Sequence, residues 1–489
     1  MRFAAALLCP LSAAVLVCAQ QAPAPQPQPK GPPATGIRTS PPPDARILRR
    51  LEWFQDQKFG FLMHWGAYSV TGSVESWPLS WADRSWGNKS IQTMEQMVDF
   101  RRKYWALPRE FNPVDFDPKA WAAVAKKAGM RYVVFTTKHH DGFCMFDTKL
   151  TDYKITSPEF PFSKNKNADV TAAIFNAFRA QGIAAGAYFS KPDWHSPYYW
   201  RPEKFAEDRN PNYDLRAEPE VWAKFAQFVY GQIEELMTRY GRVDILWLDG
   251  GQVRPPNQDI NMERLVAMAR GHQPDVLVVN RAARGYFEDY RTPENTVPKA
   301  PLLDYPWESC VTMAQQWSYK PNDQYKSTRQ LIQLLVDVVA KGGNLLLNVG
   351  PQPDGRLPAE AVTRMQEIGQ WMAVNSEAIY GTRVVAPYRE GQFAFTRKGN
   401  SIYAIYLPGE KEEALPAQVI VPSLKFQPAW KVELLGSKAR VVWHAEAGGA
   451  RIDVPASAQK SLASRDAFVF KITGAGIAEL AAPPSKPAD

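Results

Sequence analysis

Between Phe59 and Asn375, short apolar segments alternate with longer amphipathic ones. The short segments have the composition of strands buried on both faces, and the longer ones have helical spacing. Strands that alternate with helices favour a parallel sheet with right-handed crossovers. This many units within roughly 330 residues favour a closed (β/α)₈ barrel over an open doubly wound sheet. The predicted strands are 59–66, 132–137, 183–190, 243–248, 276–280 and 344–350, and the predicted helices are 121–129, 172–182, 219–240, 262–271, 328–341 and 358–375.

The pattern of apolar and polar residues changes after Gly381. Seven short apolar or alternating segments follow, separated by Gly, Pro and Lys turns, and such spacing is typical of antiparallel strands. We therefore predict a barrel domain over 46–382, a small β-sandwich over 383–475 and a flexible tail over 476–489. The seven strands are predicted at 393–397, 401–407, 417–421, 430–435, 441–444, 451–454 and 468–472.

The N-terminal segment has the pattern of a secretory signal peptide over 1–19. Arg2 precedes an apolar stretch that ends in Val17-Cys18-Ala19, a small-residue cleavage site. The stretch is too short to favour a membrane anchor. Residues 20–45 are rich in Pro and poor in large apolar residues, which predicts a disordered linker. We expect export to the periplasm or the cell exterior, with no integral membrane span after cleavage.

The composition of the chain restricts the classes of ligand that it can bind and leaves the state of its cysteines open. The formal net charge is +8, but Lys and Arg are scattered without a long basic run, so a nucleic-acid partner is excluded. Aromatic residues make up 12% of the chain, including 16 Trp, and aromatic faces stack on ring-shaped ligands. Cleavage of the signal would leave Cys144 and Cys310, either bridged or free. The sequence leaves the oligomeric state open.

The segment Arg242–Gly251, RVDILWLDGG, places Asp249 at the end of a buried strand. In α/β proteins this end of the sheet carries the reactive groups, although an Asp that caps the following turn is the alternative. Other predicted strands also end in polar or aromatic groups, and a barrel would bring them to one face. These groups are His64 and Trp65, with Glu75 and Trp77 on the loop behind; His139, His140 and Asp141; and Tyr188.

Three chemistries could use such a pocket. Metal binding by His139 and His140 is disfavoured, because adjacent residues on a strand point in opposite directions. Acyl transfer lacks a GxSxG elbow. Glycoside hydrolysis needs two carboxylates, and it uses most of the features: Asp249 is one carboxylate, and Glu294 and Glu308 are candidates for the other. The predicted stacking surfaces are Trp65, Trp77 and Trp317.

Several motifs resemble the α-L-fucosidases of glycoside hydrolase family 29, in the same order. They are FGFLMHWGAYSV, ESWPLSW, KHHDGFCMFDT, AYFSKPDWH, DILWLDGG, DYRTPE, PWESC and NLLLNVGPQPDG. The resemblance implies a retaining exo-acting α-L-fucosidase that hydrolyses terminal fucose from oligosaccharides or glycoconjugates. It also implies a (β/α)₈-like barrel, a C-terminal β-sandwich, and no required metal or other cofactor.

The resemblance also implies roles for individual residues. Asp249 matches the nucleophile, and Trp317 matches an aromatic that contacts the C5 methyl group. Arg281 lies near a position where the family often has Asn-Asp-Arg, here Asn280-Arg281. Pro306-Trp307-Glu308 replaces the frequent Lys-Trp-Glu. Residues that match sugar-binding positions are His64, Glu75, Trp77, His139, His140 and Tyr188.

Two glutamates remain as candidates for the acid/base. Glu308 lies between Trp307 and Cys310, a setting that suits either a general acid or a buried structural group. Glu294 lies on a predicted loop, where a general acid can meet varied leaving groups, and we favour it slightly. Two other functions stay open: a secreted carbohydrate-binding protein with a non-catalytic site, and a hydrolase for a related sugar such as galactose.

Overall fold

The computed structural model describes residues 44–72, 74–283 and 285–480. The predicted signal peptide, nearly all of the predicted linker, and residues 481–489 lie outside the described residues. Within the described ranges, no helix is long and apolar enough to cross a membrane. The helices are α1 Ala45–Gln57, α2 Arg84–Gly87, α3 Met94–Trp105, α4 Pro118–Ala128, α5 Val170–Ala180, α6 Pro219–Arg239, α7 Met262–His272, α8 Thr328–Ala340, α9 Ala359–Asn375 and α10 Ala456–Ser461.

Seven parallel strands form one sheet in the order β5-β4-β3-β2-β1-β7-β6. Almost every residue of these strands is buried, as expected for a parallel sheet covered by helices. The predicted barrel class is confirmed, and the predicted strands appear within a few residues of their expected bounds. The strands are β1 Phe59–Met63, β2 Tyr132–Lys138, β3 Ala184–Ser190, β4 Ile245–Asp249, β5 Leu277–Asn280, β6 Glu308–Thr312 and β7 Asn344–Val349.

An irregular segment fills the eighth position, between β5 and β6. The Asp289 N–H donates to the Val278 carbonyl at 2.9 Å, and the Val278 N–H donates to the Asp289 carboxylate at 2.7 Å. Further along, parallel bridges join Arg291 to Trp307, just before β6, and Glu294 to Cys310 within β6. Pro293 has no N–H to donate, which prevents a regular ladder here. The segment therefore closes the barrel with few hydrogen bonds and carries Glu294 to its rim.

Helix α1 seals the N-terminal end of the barrel. Its apolar residues Ile47, Leu51 and Phe54 recur at helical spacing and are buried among the inward side chains of the strands. The Phe54 ring stacks on Tyr290 with centroids 4.1 Å apart. Since this end is filled, a ligand can enter only from the opposite end, where the strands finish.

Two antiparallel sheets form the C-terminal domain and enclose a separate apolar core. One has the order β12-β15-β10-β9-β8 and the other β11-β14-β13. Ile477 and Leu480, in the predicted tail, pack on this core. The domain docks on the barrel, for example where the Trp371 indole donates to the Ala467 carbonyl at 2.9 Å. The strands are β8 Arg389–Glu390, β9 Phe393–Lys398, β10 Ser401–Tyr406, β11 Gln418–Pro422, β12 Lys431–Leu434, β13 Val442–Glu446, β14 Gly449–Asp453 and β15 Phe468–Thr473.

The two cysteines of the barrel, Cys144 and Cys310, are both free and buried. Burial raises the pKa of the Cys310 thiol to about 12, so this group stays protonated at ordinary pH. The cysteines therefore contribute to packing, and the bridge that the sequence left open does not form in this structure.

Candidate active site

Asp249 is the last residue of β4 and points into the open end of the barrel. Inward residues alternate along this strand, so Ile245 and Trp247 fill the interior and Asp249 stands above them. The backbone turns sharply after it, since Gly250 has φ +83° and a Cβ there would lie 2.2 Å from the Pro192 side chain. Only glycine fits this turn. The fold therefore presents the Asp249 carboxylate at the strand end.

Two side chains fix the Asp249 carboxylate. The Tyr188 hydroxyl donates to its Oδ2 at 2.7 Å, and Arg281 Nη1 donates to its Oδ1 at 2.9 Å. Burial alone would raise the pKa of Asp249. The Arg281 guanidinium, with smaller contributions from His140 and the Tyr188 hydrogen bond, outweighs burial and holds that pKa well below its usual range. Asp249 is therefore an anion, as a carboxylate nucleophile must be.

Arg281 also pairs with a second carboxylate. Its Nη2 donates to Glu294 Oε2, so one guanidinium group spans the gap between Asp249 and Glu294. The two carboxyl groups are therefore neighbours across one guanidinium, as the paired carboxyl groups of a retaining glycosidase must be. The Glu294 side chain is 30% exposed and the Asp249 side chain 14%. Glu294 therefore lies nearer to the solvent side of the pocket.

Glu308 lies inside the barrel rather than at its rim. The Tyr132 hydroxyl donates to it at 2.6 Å, and the Trp247 indole donates to it at 3.1 Å. Its side chain has no exposed surface, and burial raises its pKa to about 7. Trp247, which stacks on Tyr188, covers Glu308 on the pocket side. Glu308 and Asp249 are thus in different layers of the barrel.

His64 has a defined tautomer. Asn348 Nδ2 donates to the Trp317 carbonyl at 2.7 Å, which turns Asn348 Oδ1 toward His64 Nδ1 at 2.8 Å. Nδ1 must therefore carry the proton. Burial lowers the pKa of His64 to about 4, so the ring is neutral and its Nε2 is a free acceptor.

His140 is fixed in the same way. The Ser190 hydroxyl donates to the Pro192 carbonyl at 2.8 Å, so it accepts from His140 Nδ1 at 2.5 Å. Burial lowers the pKa of His140 to about 4, and its Nε2 lies 4.0 Å from Asp249 Oδ2. His139 Nδ1 is hydrogen-bonded to Ser76 instead, at 2.5 Å. Both rings are buried and neutral and lie at the pocket wall.

The remaining predicted sugar-binding residues lie on two sides of these rings. Trp317 packs against His64 with centroids 5.1 Å apart, and Trp77 packs against His140 at 5.0 Å. Glu75 accepts the Ser318 N–H at 2.6 Å, and burial raises its pKa to about 7. The structure therefore brings together Asp249, Glu294, His64, Glu75, Trp77, His139, His140, Tyr188, Arg281 and Trp317.

The prediction that Trp65 is a stacking surface for a ligand was wrong. The residue is 1% exposed, it contacts Phe111, Phe116 and Trp121, and its indole donates to the Gln352 carbonyl at 3.0 Å. Consecutive strand residues point to opposite faces, so the His64 side chain enters the pocket while Trp65 enters the helix layer. Trp65 therefore offers no face to a ligand.

Sequence reasoning missed the polar residues that hold the rings. Ser76, Ser190 and Asn348 each accept or share a hydrogen bond with one histidine. All three stand at a strand end or on a loop directly after one, so the rule that found the histidines could have found them too. Behind Asp249, Lys191 donates to the Asn280 side chain and to the Val253 carbonyl.

Among the residues that the structure describes, no three His, Cys, Asp or Glu side chains converge as metal ligands. The reason that the sequence analysis gave against the histidine pair was wrong, however: β2 ends at Lys138, and the His139 and His140 rings beyond it lie side by side with centroids 4.3 Å apart.

The comparisons with known proteins decide the family. The family model described as alpha-L-fucosidase matches residues 42–377. The chain belongs to the α-L-fucosidase family. It is therefore a glycoside hydrolase, and the comparisons give no support to a non-catalytic sugar-binding protein or to a hydrolase for galactose.

Curated relatives and solved structures agree with this membership. The chain is 28% identical to tissue alpha-L-fucosidase of Rattus norvegicus, over 88% of this chain and 91% of the relative. It is 31% identical to alpha-L-fucosidase isoenzyme 1 from Paenibacillus thiaminolyticus, with a TM-score of 0.72 over 88% of this chain and 99% of that chain.

Two further solved structures carry ligands in their descriptions. The Thermotoga maritima alpha-fucosidase, in complex with fucose, is 29% identical, with a TM-score of 0.68 over 86% of this chain and 96% of that one. The Bacteroides thetaiotaomicron enzyme, a trapped covalent intermediate, is 25% identical, with a TM-score of 0.69 over 87% of this chain and 96% of that one.

The pairing of Arg281 with Asp249 predicts a change in pH dependence. Arg281→Gln removes the positive charge that lowers the pKa of Asp249. Burial of Asp249 still raises this pKa, so the pKa should be higher in the variant. We expect the acidic limb of kcat/KM on an aryl fucoside to move upward by about 1–3 pH units, the effect of one nearby opposite charge.

The matched control is Arg254→Gln, because Arg254 lies on the loop after β4 and donates to the Ala282 carbonyl. Its pH profile should coincide with that of the unmodified chain. An Arg281→Gln profile with an unmoved acidic limb would contradict the assignment.

Proposed function

We propose that this α-L-fucosidase removes terminal α-L-fucose from glycans by double displacement, with Asp249 as the nucleophile and Glu294 as the acid/base. The observation that carries the proposal is the single guanidinium of Arg281 that pairs with both carboxylates at the open end of the barrel. The fucose complex and the covalent intermediate described for two relatives support the same chemistry.

In the first step the Asp249 carboxylate attacks C1 of the fucose. The bond from C1 to the glycosidic oxygen breaks, and the oxygen leaves with a proton from Glu294. In the second step Glu294, now a carboxylate, takes a proton from water, and the water oxygen displaces Asp249 from C1. Each displacement inverts the configuration at C1, so fucose leaves with net retention, and the second step restores both carboxyl groups.

The walls of the pocket suit a deoxy sugar. The free Nε2 atoms of His64 and His140 are acceptors for sugar hydroxyl groups. Trp317 supplies an apolar surface beside His64, where the C5 methyl group of fucose would bury its area. We assign Glu75, Trp77, His139 and Tyr188 to the same sugar-binding wall.

Glu294 meets the requirements of the acid/base better than Glu308 does. Glu308 has a pKa near neutrality, as a general acid needs, but Trp247 and Tyr132 occupy both of its oxygens. A catalytic acid must reach the leaving oxygen directly or through one water. Glu294 is next to solvent and next to Asp249, so we assign the proton transfers to it.

Loss of the nucleophile gives the first test of this proposal. Asp249→Ala should lower kcat by at least about 10³-fold, roughly 4 kcal/mol of barrier, and azide should restore part of it by attacking in the vacated space. The readout is release of a chromogenic aryl fucoside.

The control for this variant is Asp244→Asn, at the other end of the same polypeptide segment. Asp244 pairs with Arg50 at 2.9 Å and Arg242 at 2.8 Å, so its substitution should lower the melting temperature and leave kcat within a few-fold. An Asp249→Ala variant that keeps a tenth of the original kcat would exclude this nucleophile.

The acid/base assignment predicts a dependence on the leaving group. Glu294→Ala should cripple hydrolysis of natural fucosides, by roughly 10²–10⁴-fold, and affect an activated aryl fucoside far less, because that leaving group needs little protonation. Azide should accelerate the aryl reaction of this variant, since it needs no general base.

Glu308→Gln is the comparison, because it keeps the shape of the side chain. It should reduce stability without changing the ratio of the two rates, since it removes a buried hydrogen-bond acceptor from Tyr132 or Trp247. If the leaving-group dependence and the azide effect appear in Glu308→Gln and not in Glu294→Ala, the roles are reversed.

We also propose that the chain is exported. The support is the signal-like pattern of residues 1–19 and the cleavage site before Gln20. When the full gene is expressed in a bacterial host, intact mass should show a mature protein that begins at Gln20, outside the cytoplasm. Leu8→Arg should leave it uncleaved inside. A cytoplasmic protein that keeps its first 19 residues would refute export.

A further inference from the structure

Trp86 is a large aromatic residue that the barrel core does not cover. It lies on the short helix α2, in the segment that follows β1, and 37% of its surface is exposed. Its ring packs against Trp77 with centroids 5.6 Å apart, and Trp77 in turn packs against His140 at 5.0 Å. Trp86 therefore packs directly on the pocket-wall residue Trp77, on its solvent side.

Hydrogen bonds and ion pairs hold this exposed ring in place. The Trp86 indole donates to Asp83 Oδ1 at 3.2 Å, and Asp83 accepts two hydrogen bonds from Arg209, at 2.8 and 2.7 Å. The Arg209 guanidinium lies over the Trp77 ring, 4.2 Å from its centroid. A ring that is already ordered loses little rotamer entropy when a ligand covers it.

The surroundings of the ring determine the kind of ligand. Asp83 and Arg209 neutralise each other beside Trp86, so this ion pair adds no net charge next to the ring. A broad, ordered aromatic face with polar neighbours at its edge suits a pyranose ring, whose C–H face is apolar and whose hydroxyl groups lie around its edge.

We propose that Trp86 forms an acceptor subsite, where it stacks on the sugar to which the fucose is attached. The inference rests on the proposed fucosidase function, because fucose in the pocket beside His140 places its leaving group toward the exposed side. The ring then contributes to the transition state of the first step only when the leaving group is a sugar.

The test compares two substrates that differ only in the leaving group. α-L-Fucosyl fluoride has a leaving group too small to reach Trp86, and fucosyl disaccharides of several linkages carry a neutral pyranose. In Trp86→Ala, kcat/KM for the best disaccharide should fall by roughly 3- to 10-fold, the usual worth of an aromatic contact, while kcat/KM for the fluoride stays constant.

Trp86→Phe separates stacking from the hydrogen bond to Asp83. It keeps an aromatic face and loses the indole donor, so it should retain most of the disaccharide activity if stacking is the cause. Melting temperatures of all variants should be equal, because Trp86 is outside the core.

Three results would overturn the assignment of Trp86 to an acceptor subsite. Equal losses on both substrates would show that the ring acts on the fucose pocket instead. A disaccharide kcat/KM within twofold of the original would show that the acceptor sugar does not contact Trp86. A Trp86→Phe variant as impaired as Trp86→Ala would assign the effect to the hydrogen bond. Absence of fluoride hydrolysis by the unmodified chain would instead refute the proposed function itself.

Discussion

One arginine, largely buried, organises the carboxylates at the open end of this barrel. The Arg281 guanidinium pairs with Asp249 and Glu294, and it lies over the Trp247 ring at 5.4 Å. A buried carboxylate without such a partner would take up a proton, because burial disfavours the charged form. The ionised state of Asp249, and with it the proposed attack on C1, depends on this pairing.

The fold could be predicted wherever the local sequence pattern of a helix or strand is sufficient to identify it. Strands β1 to β5 and β7 are short apolar runs, and α4 to α9 are amphipathic segments of ordinary length. Strand β6 was missed because ESCVT is short and places a carboxylate and a hydroxyl inside the barrel. The closure by residues 289–294 was also missed, since it depends on pairing with distant strands and local residues do not encode it.

For the site, the sequence could predict which residues lie at the ends of strands. The end of a strand is visible in sequence, and parallel strands bring their ends to one face, so Asp249, His64 and Tyr188 were found together. The direction of each side chain was less accessible, as Trp65 shows. The choice between Glu294 and Glu308 depended on recognising β6, because only a strand assignment puts Glu308 in an inner layer behind Trp247.

The two carboxylates belong to backbone of unequal stiffness. Asp249 ends a strand that has a hydrogen-bonded neighbour on each side, β3 and β5, whereas Glu294 stands beside a proline in a segment whose isolated bridges, to Trp307 and Cys310, lie on one side only. In the proposed reaction the nucleophile is therefore held from two sides, while the backbone of the proton donor is held from one, by the hydrogen bonds of Pro293 and Asn295 with Cys310.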